Sequence, residues 1–193
     1  GIISLSVAYA KLGTTQAACV QIADIVSAIS AILFMGISNA ASVVIGHTIG
    51  NGERHKVIAY SKQIILVAVI MASLSFILVQ FLTGSIVSLY KLPQDIAELA
   101  NKTLRVYGVF VFFKMINWAI LIGLFRAGGD TKVAFYLDIF PLWFFGVPIA
   151  FIGAYFKVPI FILIGMAEFS EVIKLIFSLW RYKSLKWIKD VTV

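Results

Sequence analysis

Five apolar runs, each long enough to cross a bilayer and separated only by short polar breaks, restrict what this chain can fold into. They cover residues 15–49, 54–89, 95–125, 131–156 and 160–180. A hydrocarbon core of about 30 Å needs roughly 20 helical residues. In lipid every backbone N–H and C=O has to be satisfied inside the protein, which a helix does within its own segment. The expected fold is therefore all-α, a polytopic membrane helix bundle.

Composition points the same way. The chain is 61% hydrophobic and 13% charged, against roughly 25% charged in a soluble domain. That leaves too little polar surface to coat a globule. A net charge of +7 would suit nucleic acid or anionic lipid, but the charges fall almost entirely between the apolar runs, which excludes a nucleic-acid partner. The single cysteine, Cys19, lies within a run and can form no internal disulfide, and no zinc-type spacing is present.

The breaks carry stop and start signals. Residues 2–10 lack the basic flank and cleavage site of a signal peptide. Nine helical residues rise only about 13 Å, so this piece is expected to be the end of a membrane helix that begins outside the sequence. Gly50-Asn51-Gly52 ends the second helix, and Lys91-Leu92-Pro93 the third. Asp95 and Glu98 have capping-box spacing for the fourth. Arg126 through Thr131 separates the fourth from the fifth, Lys157-Val158-Pro159 leads into the sixth, and residues 181–193 form a basic tail.

Orientation follows from the basic residues. Arg54, Lys56, Lys62, Arg126, Lys132, Arg181, Lys183, Lys186 and Lys189 fall on one side; Lys11, Lys91, Lys102, Arg105 and Lys157 fall on the other. The excess places the tail in the cytoplasm.

Three spans carry polar residues at helical spacing. Gln21, Asp24 and Ser27 follow one another in the second helix, Lys114 and Asn117 in the fourth, and Glu168, Glu171 and Lys174 in the sixth. Gln21 and Asn117 equally suit plain interhelical hydrogen bonding. Charges at this depth line a pathway or pair with one another, and Glu171 can pair with Lys174 along its own helix. The spans hold four acids, Asp24, Asp138, Glu168 and Glu171, against Lys114 and Lys174. An acid left without a base takes a proton or holds a cation, which is what cation-coupled transport needs. In the fifth helix Pro141 and Pro148 each remove a backbone donor, so a bend beside Asp138 is a candidate hinge or a simple packing kink.

Other chemistry finds no support. No glycine loop runs into Gly-Lys-Ser/Thr, His47 and His55 have no ligand partner at metal spacing, and no nucleophile and base stand out, so no enzymatic activity is expected.

Several stretches resemble one family. Gly36 through Gly52 (GISNAASVVIGHTIGNG) is similar to the helix end and first cytoplasmic loop in the second half of multidrug and toxic compound extrusion (MATE) transporters. Gly123 through Lys132 (GLFRAGGDTK), with Arg126, Gly128, Gly129 and Asp130, resembles their loop between helices ten and eleven. Asp138, Trp143 and Gly146-Val147-Pro148 resemble the helix that follows; Glu171 through Ile176, Trp180-Arg181 and Ser184 through Trp187 resemble the twelfth helix and tail.

The resemblance implies a twelve-helix antiporter of two six-helix lobes. Such a protein exports small organic cations or drugs against protons or sodium by alternating access, with no bound cofactor. This chain, 1–193, would be one transmembrane lobe, the second, in a bacterial plasma membrane with its C-terminus cytoplasmic. Its partners would be membrane lipid and the N-terminal lobe. Sodium-coupled members carry an acid in helix ten where this sequence has Met115, leaving Asp24, Lys114 and Asn117 as another set. A lipid-linked precursor flippase of the same superfamily, with a more cationic groove, and a non-transporting membrane scaffold are the alternatives.

Overall fold

The computed structural model describes residues 1–189. The end of the basic tail, 190–193, lies outside the described residues.

Among these residues the chain forms helices and no strand. Helix α1 is Ile2–Ala10, α2 Thr14–Gly50, α3 Arg54–Leu89 and α4 Gln94–Trp118, which continues into a π-helical segment Ala119–Arg126. Then come α5 Thr131–Pro141, a second π-helical segment Leu142–Gly146, α6 Val147–Tyr155 and α7 Ile160–Lys183. Four stretches are long and apolar enough to cross a membrane: α2, α3, α4 with its π segment, and α5 through α6. Helix α7 has 24 residues, about 36 Å at 1.5 Å each. It is long enough to span, but Glu168, Glu171 and Lys174 interrupt its apolar character.

The start of α4 differs from a capping box. Pro93 is the N-cap, no side chain caps the helix, and Asp95 sits inside the first turn. With φ fixed by its ring, Pro93 sets the helix start one residue before Asp95, where the carboxylate still meets the positive end of the helix dipole. Glu98 pairs forward with Lys102 at 2.6 Å instead of reaching back.

Helix α4 is the centre of the bundle. It packs on α2, α3 and α7, while its π segment packs on α2, α3 and α5. From Met115 to Phe125 nearly every side chain is buried, as expected of a helix apolar all round. Helix α3 is at the edge. Its buried residues form one stripe: Val57, Ala68 and Val79, and Ser61, Ala72 and Thr83, each repeat every eleven residues, and Val87 follows one turn on, which keeps a slightly right-handed face toward the core. Ser61, Ala68 and Ala72 on that stripe are small and allow close approach. Its other face exposes Leu66, Val67, Ile70, Leu74, Leu78 and Phe81. Small residues inward and large apolar residues outward fit a solvent of lipid.

Two prolines flank one irregularity. Pro148 has no N–H to give the Phe144 carbonyl and its ring crowds that turn, and the segment before it, Leu142–Gly146, winds wider, with Val147 N–H donating to the Leu142 carbonyl five residues back. Pro141 ends α5 directly before this segment, one turn beyond Asp138.

Candidate functional site

One polar group faces outward from the bundle along α2 and α4, over the buried Tyr107. Asp24 on α2 is exposed, and Tyr107 on α4 donates its hydroxyl to Asp24 Oδ1 at 3.2 Å. Seven residues on, two turns along the same face, Lys114 Nζ lies 5.8 Å from the centre of the Tyr107 ring. Among the described residues none of Asp24, Lys114 and Glu168 makes an ion pair within 4.0 Å. A cavity of about 210 Å³ between α1 and α2 is lined by Ser6, Tyr9, Ala17, Val20, Gln21 and Asp24. Tyr9 is buried, and its hydroxyl finds no hydrogen-bond partner among the described residues. Four oxygen-bearing side chains thus line one small cavity, and Tyr9 retains unused hydrogen-bonding capacity there. Oxygen donors of this kind suit a hard cation or a proton.

A second group is closed on itself. Lys174 on α7 donates to Glu171 Oε1 at 2.8 Å and to Asp138 Oδ1 of α5 at 2.9 Å. Asn117 Nδ2, from α4, donates to Glu171 Oε2 and to the Glu171 carbonyl, both at 2.9 Å. Lys174, Glu171 and Asn117 are buried, whereas the Asp138 side chain is 48% exposed. Two carboxylates share one ammonium, and an amide satisfies the remaining oxygen of the buried one. A buried pair satisfied in this way is tolerated in an apolar interior, but removing either partner is costly.

The seven candidate binding residues therefore separate. Asn117, Asp138 and Glu171 meet around Lys174, tying α4, α5 and α7 together. Gln21 and Asp24 share the cavity beside α1. Lys114 lies against Tyr107. Glu168 is half-buried on α7, three residues before Glu171. Beside it, an apolar groove of about 660 Å³ is lined by residues that include Phe110, Phe161, Gly165 and Phe169. Of the two candidate hinge prolines, Pro141 sits at the junction of α5 and the π segment, and Pro148 starts α6.

After Arg126, the loop residues Gly128, Gly129 and Asp130 form part of a clasp at the tail end of the bundle. Asp130 is fully buried. Its Oδ2 accepts from Arg181 Nε at 2.8 Å, and its Oδ1 lies 2.6 Å from Lys189 Nζ. Gly129 has φ 82°, a left-handed conformation that glycine adopts without strain. A Cβ on Gly128 would come within 2.5 Å of the Trp187 carbonyl, so only glycine fits beneath the returning tail. Lys189 N–H donates to the Gly128 carbonyl at 2.9 Å, and Arg54 Nη2 donates to the Ile188 carbonyl at 3.1 Å. Trp187 is fully buried and stacked on Tyr182 with ring centres 6.0 Å apart. Arg126 itself is exposed.

Reading the spans for charged residues missed three members of these groups. Ser6, Tyr9 and Tyr107 carry no charge, and only Tyr107 left a trace, as the aromatic residue two turns from Lys114.

The sequence profile of the MatE family matches residues 2–152. A probable multidrug resistance protein NorM of Photorhabdus laumondii is 27% identical over 150 residues, 78% of this chain and 33% of that protein. One of Xanthomonas campestris is 30% identical over 141 residues, 72% of this chain and 30% of that protein. One of Pasteurella multocida is 28% identical over 144 residues, 72% of this chain and 30% of that protein. The chain thus spans about a third of the length of the curated relatives it matches. No solved structure matches it. With the family profile covering α1 through most of α6, the chain belongs to the MatE family of membrane transporters.

Proposed function

We propose that this chain is the second lobe of a secondary antiporter that exports organic cations or drugs in exchange for protons or sodium by alternating access. The whole protein would lie in a bacterial plasma membrane with this C-terminus in the cytoplasm, opposed to an N-terminal lobe. The observation that carries the reading is Asp24: an exposed carboxylate in the middle of a span, hydrogen-bonded to Tyr107 and without an ion pair among the described residues. An acid in that position binds a cation or takes up a proton, and those are the two coupling reactions the antiporter needs. Glu168 adds a second acid on α7, and the oxygens of Ser6, Tyr9 and Gln21 supply further ligands.

A lipid-linked precursor flippase would need a cationic groove. Outside the closed Lys174 network the spans hold two acids, Asp24 and Glu168, against one base, Lys114, which favours cationic cargo. The relatives are named as probable multidrug resistance proteins, which agrees with that preference.

Export of a fluorescent organic cation from proteoliposomes of the full-length transporter, with proton and sodium gradients imposed in turn, tests the proposal. Asp24→Asn should abolish gradient-driven export while the protein still inserts and elutes as a single species. Undiminished export by Asp24→Asn under both gradients would sink it.

A further inference from the structure

We infer that Lys114 is a tethered competitor for the lobe's cation site, and that its charge sets how tightly an organic monocation binds there. The inference rests on the reading of the Asp24 face as that site. An organic cation with aromatic substituents is recognised by the face of an aromatic ring and by a nearby carboxylate. Tyr107 and Asp24 supply this pair and are joined by a hydrogen bond of 3.2 Å. The Lys114 ammonium is already over that ring, 5.8 Å from its centre.

The two lysines within the spans, buried Lys174 and half-buried Lys114, are held very differently. Lys174 donates to two carboxylates at 2.8 and 2.9 Å and is fixed in the closed network. Lys114 has no carboxylate within 4.0 Å among the described residues. Glu168 and Glu171 on α7 are the acids that act on it, and they do so only through space. A ring face and carboxylates beyond contact distance hold an ammonium weakly, and a four-carbon stem lets it swing aside. Without cargo, Lys114 supplies the positive charge that Tyr107, Asp24 and Glu168 attract. When a cation enters, the ammonium has to withdraw, and its charge repels the cation at short range in a medium of low dielectric. Lys114 thus weakens cation binding and eases release, and it discriminates against dications more than monocations.

The test measures equilibrium binding of tetraphenylphosphonium, a permanent monocation, and of triphenylphosphine oxide, its neutral counterpart, to the detergent-solubilised full-length transporter. Lys114→Met should tighten tetraphenylphosphonium binding by about tenfold, the size expected when one like charge is removed from a partly buried site, and leave the neutral probe unchanged. Lys114→Arg, which keeps the charge, should stay near the parent. If the methionine variant does not elute as a single species, Lys114→Gln serves the same comparison. Unchanged or weaker cation binding without the charge overturns the inference, as does an equal gain for both probes, which would indicate extra room and not relieved repulsion. Asp24→Asn separates the two levels of the argument. If it abolishes tetraphenylphosphonium binding while Lys114→Met changes nothing, only the competitor role fails; if it too changes nothing, the cation-site reading fails with it.

Discussion

Asn117 holds Glu171 at two points, its Nδ2 donating both to the Glu171 carbonyl and to Glu171 Oε2 at 2.9 Å each. One amide thereby fixes the main chain of α7 and the orientation of its buried acid, leaving the other carboxylate oxygen free for Lys174. Asn117→Ala removes both bonds from a buried site, and the expected loss is about 1–3 kcal/mol. Thermal unfolding of the detergent-solubilised protein should show a clearly lowered midpoint. An unchanged midpoint would mean that the amide does not support the network.

The Lys174 network predicts unequal effects for its two acids and its base. Lys174→Met strands Glu171 in the interior and should cost about 3–5 kcal/mol. Asp138 has a side chain 48% exposed, and Asp138→Asn leaves Glu171 to neutralise Lys174, so it should cost no more than about 1 kcal/mol. Denaturation of the two variants side by side gives the order, and equal losses would contradict the geometry.

At the tail end, Gly128→Val places a side chain where the Trp187 carbonyl and ring lie. The tail should lift away, and the backbone around the already exposed Lys186 and Lys189 should become free enough to enter the trypsin active site. Asp130→Asn should act in the same direction, because it removes the charge that Arg181 and Lys189 share. Tryptic cleavage after these lysines is expected to speed up in both variants relative to the parent, followed by mass spectrometry. Parental cleavage rates in Gly128→Val would show that the clasp does not hold the tail.

The proposed orientation gives a labelling experiment. Cysteines in place of Lys186, in the tail, and Tyr155, at the far end of α6, are both at exposed positions, and the native Cys19 is buried. In intact cells an impermeant maleimide should label the Tyr155 position and spare the Lys186 position. Labelling at Lys186 from outside would reverse the topology.

The apolar runs by themselves determined that the chain is a bundle of membrane helices, because length and hydropathy decide whether a helix can satisfy its backbone in lipid. Spacing along one helix was equally local. Glu171 and Lys174 are three residues apart, so their pairing was available from α-helical geometry alone, and the irregular helix after Asp138 was marked by Pro141 and Pro148. The other contacts depend on which helices become neighbours. Asn117 meets Glu171 across 54 residues of chain, Tyr107 meets Asp24 across 83, and Asp130 meets Arg181 across 51. No periodicity encodes such pairs, because each forms only after α4 has packed among α2, α3 and α7. Tertiary packing therefore decided that Glu171 is a locked acid and Asp24 an outward one, two carboxylates that look alike in the sequence.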